Sequence, residues 1–217
     1  MYIELIDLLR CPRPHEESWL VAAFNRMDGR FVIDGKLGCP ICSASYPISD
    51  GTVDFRSDAP AASQPGKSRP LDVLAAAPEE MTLRVAGMLG LTRAGAAVVL
   101  SRMPAEIAGA VAELAGVRVV SVNRTGDGDE RENIASVRAD ERLPFGSGSI
   151  DAMMITGDVS PGDIGEGLRV LKTGGRLVAP AGTPLAGNLR ELARDDRFIV
   201  AEFTGPLVTL LPGRAGS

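Results

Sequence analysis

Two rhythms of apolar and polar positions divide this chain, and the change falls near residue 57. Upstream, apolar residues come in short stretches broken by turn residues. Residues 18–27 (SWLVAAFNRM) and 30–37 (RFVIDGKL) read as strands, joined by Asp28-Gly29, a dipeptide favoured in two-residue hairpin turns. In that register Met27 opposes Arg30, and Ser18 falls opposite Cys39. Downstream, buried runs alternate with helical patterns. Pro78–Leu89 reads as a helix with proline and two acids in its first turn, where both are favoured. Further helices are predicted over 104–115, 163–171 and 184–194. Strands are predicted over 96–100, 117–122, 134–139, 150–156, 176–181, 198–203 and 207–211. Strands alternating with helices of about ten residues argue for a doubly wound α/β sheet. The last two strands, with only a short turn between them, suggest an antiparallel edge.

Residues 57–70 (SDAPAASQPGKSRP) carry no large apolar side chain and read as a linker. The expected organisation is a small β module over residues 1–56, the linker, and an α/β domain over residues 71–217. A chain of 217 residues can bury a core unaided, and 45% apolar with 24% charged residues is a globular composition. No apolar run approaches the roughly 20 residues that span a bilayer. The opening MYIELID lacks the cationic start of a signal peptide, so a cytoplasmic address away from membranes is expected. The net charge of −5 is evenly spread: 6 basic and 8 acidic side chains up to residue 56, 17 and 20 beyond it. Neither part has the basic footprint of a nucleic-acid binder.

Candidate chemistry gathers at one end. Three cysteines and one histidine, the chain's full complement, lie within its first 42 residues: Cys11, His15, Cys39 and Cys42. The spacing is C-x3-H, then C-x2-C beyond the hairpin. Two close pairs on separate turns are how a tetrahedral zinc site is built, and four protein ligands make it structural. The alternative is three buried thiols beside a solvated histidine. A disulfide fits less well, since three cysteines leave one over. Beyond residue 56 there is neither Cys nor His, which excludes catalysis by either there. Gly126-Asp127-Gly128-Asp129-Glu130 lacks the ligand pattern of a calcium loop and reads as a surface loop.

The segment Glu4-Leu5-Ile6-Asp7-Leu8-Leu9-Arg10-Cys11-Pro12 resembles the short helix and first knuckle of Trm112-like zinc-ribbon proteins. Cys39-Pro40-Ile41-Cys42 followed by Tyr46-Pro47-Ile48-Ser49-Asp50-Gly51-Thr52-Val53 resembles their second knuckle and closing strand. The resemblance covers residues 2–56. It departs at Cys11-Pro12-Arg13-Pro14-His15, where the family usually has two cysteines. It implies a module that docks on methyltransferases and stabilises them.

Two later stretches resemble class I S-adenosylmethionine-dependent methyltransferases. Residues 139–151 (ADERLPFGSGSID) look like the segment after that fold's third strand, and 168–177 (LRVLKTGGRL) like its helix, turn and fifth strand. With the strand order, the likeness covers residues 80–212. In that family the first strand runs into a loop with three nearby glycines. Here Ser101-Arg102-Met103-Pro104-Ala105-Glu106 follows the strand, with Arg102, Pro104 and Glu106 at the glycine places. Side chains there fill space a cofactor would need, and Pro104 removes an amide donor. Asn123 stands where the family has a carboxylate for the ribose, and Asp140 where it has an adenine contact. Arg102, Asn123 and Asp140 are thus the vestigial cofactor contacts, and no catalytic residue is assigned.

The expectation is an N-terminal zinc ribbon followed by a Rossmann-like, class I methyltransferase-like sheet. Zinc is its cofactor, and S-adenosylmethionine binds weakly or not at all. The favoured role is a non-catalytic pseudo-methyltransferase acting as scaffold or regulator through a protein partner or self-association. An active methyltransferase with an atypical cofactor loop and a small-molecule binder are the alternatives.

Overall fold

Strands, more than helices, organise this molecule. The computed structural model describes residues 1–56, 78–124 and 134–205. The predicted linker, the acidic 126–130 loop and the strand over 207–211 lie outside the described residues.

The chain opens with a 3-10 helix, Ile3–Asp7, and an antiparallel meander of β1 (Val21–Asp28), β2 (Phe31–Gly38), β3 (Ser45–Ser49) and β4 (Thr52–Asp54). The hairpin turn differs from the sequence reading by one residue. Asp28 pairs with Phe31, so Gly29-Arg30 forms the turn. Gly29 takes φ +54°, and glycine at the first central position suits a type II′ turn. The first strand also begins later than predicted, with Val21 opposite Gly38.

Next come α1 (Pro78–Leu89), β5 (Ala97–Ser101), α2 (Ala105–Ala115), β6 (Arg118–Val122), β7 (Ile134–Arg138), β8 (Ile150–Ile155), α3 (Pro161–Val170), β9 (Leu171–Pro180), β10 (Leu189–Arg194) and β11 (Phe198–Phe203). All described strands join one sheet in the order β1-β2-β3-β4-β7-β6-β5-β8-β9-β11-β10. Strands β4 to β9 run parallel from β4 through β8 to β9, while β11 and β10 are antiparallel additions. The antiparallel edge is therefore made by 189–194 with 198–203. The helix predicted over 184–194 is replaced by a loop and β10.

Central strands bury both faces, and their alternate residues serve two cores. Val98, Leu100 and Met154 face α1 and α2, meeting Met81, Val85, Ile107 and Val111. Val99, Val120, Met153 and Ile155 face the other way, toward Ile164 and Val170 of α3 and toward the N-terminal module. On that second face the module does what crossover helices would do. Leu5, Leu9, Val53 and Phe145 are fully buried in this shared core. Main-chain bonds stitch the seam: Arg10 N–H to Pro144 O at 2.9 Å, Gly146 N–H to Leu8 O at 3.0 Å, and Phe55 N–H to Arg138 O at 2.8 Å. Glu17 accepts from both the amide and the hydroxyl of Ser147, at 2.8 and 2.6 Å. Among the described residues no helix is long and apolar enough to cross a membrane.

Candidate functional site

Two places carry chemistry, and the four soft ligands form the first. The Cys11 amide donates to Ser18 O, closing the first turn. The second knuckle is closed by Cys39 N–H to Ala44 O and Ser43 N–H to Cys39 O, with Ser43 in the left-handed region at φ 58°. These turns bring one ligand atom each from Cys11, His15, Cys39 and Cys42 within 4.8 Å of one another. Cys11 Sγ and Cys42 Sγ are 3.7 Å apart. Tetrahedral zinc with Zn–S bonds of about 2.3 Å holds its sulfurs about 3.8 Å apart, so the spacing fits. His15 Nε2 lies 3.2 Å from Cys11 Sγ and 3.4 Å from Cys39 Sγ.

The histidine ring is oriented by one main-chain bond. Its Nδ1 is 2.7 Å from Glu16 O, a carbonyl that can only accept, so Nδ1 carries the proton. Nε2 then presents a lone pair to the sulfurs, the tautomer a metal requires. Tyr46 hydroxyl donates to Cys11 Sγ at 3.1 Å and stacks at a tilt on Phe55, 4.6 Å between centroids. Burial pushes the Tyr46 phenol up, which keeps it a donor. Burial works against ionisation of Cys39, yet the amides of Cys42 and Ile41 and the neighbouring thiols outweigh it and bring its thiol down to about 7. Tyr46 lies in the segment that carries the ribbon resemblance, but its bond to the Cys11 sulfur has no signature in sequence.

The second place is where strand order reverses. Strands on the β5 side run outward through β6 and β7, and those on the other side through β8 and β9. In doubly wound sheets ligands enter the crevice at the carboxyl ends of the two strands flanking this switch. Arg102, Asn123 and Asp140 do converge on it, with Ser101, Asp163 and Glu166. The cavity there is small, about 40 Å³.

Buried Thr156, just after β8, donates its hydroxyl toward Ser101 O and Arg102 O, both at 3.1 Å, and its amide to Ser101 O at 3.3 Å. These bonds tie the two loops across the switch. The Arg102 amide donates to Val122 O at 2.8 Å, with Arg102 at φ +60°. Its guanidinium stands 3.9 Å from Asp163, while Nε and Nη2 are buried without a hydrogen-bond partner among the described residues. Asn123, at φ +50°, spends its amide on one backbone unit: Nδ2 donates to Ala139 O at 2.8 Å and Oδ1 accepts from Ala139 N at 3.1 Å. Asp140 is exposed beside it. Sequence reasoning passed over Thr156, a lone threonine at a strand end. It also missed Ser160-x-x-Asp163, a capping box that orients Asp163 at the start of α3 and was readable from its spacing.

No protein-family model matches the chain, and no curated protein matches it. Among solved structures it is similar to a candidate S-adenosyl-L-methionine-dependent methyltransferase of Methanococcus maripaludis. The identity is 13% over 64% of this chain and 90% of that one, with TM-score 0.48. It is also similar to geranyl diphosphate C-methyltransferase of Streptomyces coelicolor A3(2), at 21% identity over 49% of this chain and 47% of that one, TM-score 0.41. A third is phosphoethanolamine N-methyltransferase 2 of Haemonchus contortus, at 15% identity over 50% of this chain and 30% of that one, TM-score 0.39. The chain spans less than half the length of the latter two.

Proposed function

We propose that this protein is a non-catalytic, methyltransferase-like scaffold or regulator whose Trm112-like ribbon is held by one structural zinc. The observation that carries the reading is the small volume of the switch crevice: about 40 Å³, where small-molecule sites run to roughly 300–1,000 Å³. Arg102 lines it, and Asn123 already commits its side-chain amide to Ala139, Nδ2 to the carbonyl and Oδ1 to the N–H. Protein contacts, including self-association, are then the means of action.

Zinc would be held by Cys11, His15, Cys39 and Cys42, with Tyr46 and the Glu16 carbonyl steadying Cys11 and His15 from behind. Bound there it ties the first turn to the second, contributing directly to folding. Purified protein is expected to contain about one zinc per chain, and Cys39→Ser to release it with loss of the ribbon fold. Protein made with zinc present but containing none would remove this half of the reading.

One observation favours a second reading, an active methyltransferase with an atypical loop. Nε and Nη2 of Arg102, without a hydrogen-bond partner among the described residues and with Nη2 in only a 3.9 Å ion pair with Asp163, have the fork geometry for a ligand carboxylate. Calorimetric titration with S-adenosylmethionine and S-adenosylhomocysteine separates the two. No heat of binding at micromolar concentrations is expected. A low-micromolar dissociation constant that Arg102→Ala abolishes would promote the enzyme.

A further inference from the structure

A roomier concavity among the described residues lies elsewhere. Between α3 and the loop over 181–188 lies a cavity of about 300 Å³, open to solvent on one side. Its walls are Val159, Ile164 and Leu168 on one side and Pro184, Leu185 and Ala186 on the other. Among the described residues no ionisable side chain lines it. Two hydroxyls line it: Ser160, spent in the capping box with Asp163, and Thr183.

Two features of the chain keep it open. First, β10 replaces a helix after β9, so only the short 181–188 loop flanks the outer side of α3. Second, α3 has glycine at 165, where an added Cβ would meet nothing within 4 Å. Gly167, two residues on, is different: a Cβ there would touch Leu177 and Met153 at 3.5 Å, so packing accounts for it. Glycine disfavours a helix interior, and at 165 nothing in the packing repays it. The room above it is the consequence.

We propose that this cavity is a binding site for a small, uncharged, apolar molecule. The match is one of charge and size. An ionised group would lose water there and find no partner, and the volume sits at the lower end of small-molecule sites, roughly 300–1,000 Å³. Recognition is then by shape and apolar contact, with the Thr183 hydroxyl as the one polar side-chain group among the described residues left to a neutral ligand. The inference goes beyond the scaffold reading and stands whether or not the switch crevice takes a cofactor.

The test is fluorescence titration of the full chain with the neutral probe N-phenylnaphthylamine. Saturable binding at one site per chain is expected, weakened roughly tenfold or more by Gly165→Phe and by Ala186→Trp, which fill the cavity from opposite walls. Leu83→Ser, on an exposed face of α1, is expected to leave binding unchanged. Melting by circular dichroism shows each variant folded, and two independent fillings cover the loss of one. Failure to saturate, or binding that survives both fillings or is lost in Leu83→Ser, would overturn the site. So would a dimer in sedimentation that these fillings dissociate, because a second copy would then be the occupant.

Discussion

Asn123 is placed among ligand contacts by its sequence position and among structural residues by its bonds. Its left-handed backbone and its two bonds to Ala139 fasten the end of β6 to the end of β7. Asn123→Ala is therefore expected to cost about 2–4 kcal/mol, from two hydrogen bonds and a Cβ in a left-handed conformation. Asn123→Gly keeps the backbone at ease and should cost about half of that. Urea unfolding measures both, and an alanine variant as stable as the parent would return Asn123 to the ligand contacts. Asp151 shows the same logic with charge. Its carboxylate accepts from the Ala97 amide and Lys172 Nζ, both at 2.9 Å, and from Arg93 at 2.5 Å. Burial alone would raise its pKa, but Lys172, the Ala97 amide and Arg93 outweigh it and hold the carboxyl below the usual range. A depressed carboxyl gives stability that is present above its unfolded value, near pH 4, and is lost as pH falls through its folded value. Asp151→Asn should thus be less stable than the parent at pH 7, and the gap should narrow as the pH is lowered below about 4. A gap constant from pH 7 to pH 2 would show that the charge is not what matters.

At the scale of elements, the docking of the N-terminal module rests on β4 against β7 and on Leu9 against the Phe145 loop, which form an isolated bridge. Leu9→Ala and Phe145→Ala should each destabilise by about 2–5 kcal/mol, both side chains being fully buried. Because they share one core, the double variant should fall short of the sum by about 0.5–3 kcal/mol. Strict additivity would mean that the two halves do not share a core. Much of this architecture was legible. Continuous apolar runs such as Val98–Leu100 and Met153–Ile155 announce strands buried on both faces, and Pro78–Leu89 carries its own start signals. What misled was local. Leu189-Arg190-Glu191-Leu192-Ala193-Arg194 is made of good helix formers, and only pairing with β11 makes it a strand. The hairpin's slip to Gly29-Arg30 goes with irregular register at Phe24 and Arg26, which alternation alone does not reveal. The Cys11, His15, Cys39 and Cys42 cluster was legible because rare residues at fixed spacing are a strong signal. The switch region was only half legible, since Arg102 shows in the sequence and the bonds of Thr156 do not.

For the whole molecule, division into a module, a linker and a domain is a reading of composition that limited proteolysis can test, with first cuts expected between residues 57 and 70. One sheet and one core cross from residues 1–56 to the rest. Residues 71–217 made alone should therefore expose the β7 edge and the apolar surface around Phe145, and aggregate. Co-expression with residues 1–56 should restore a soluble pair, and a soluble monomeric 71–217 would overturn this. The same seam sets a schedule for synthesis. Its parallel partner strand lies roughly 80 residues downstream of β4, so at 5–20 residues per second the ribosome leaves that edge bare for about 4–16 s. A nascent chain in this interval, ribbon formed and β7 still unmade, is the stage at which chaperones or a neighbouring chain on the same message have a strand to capture.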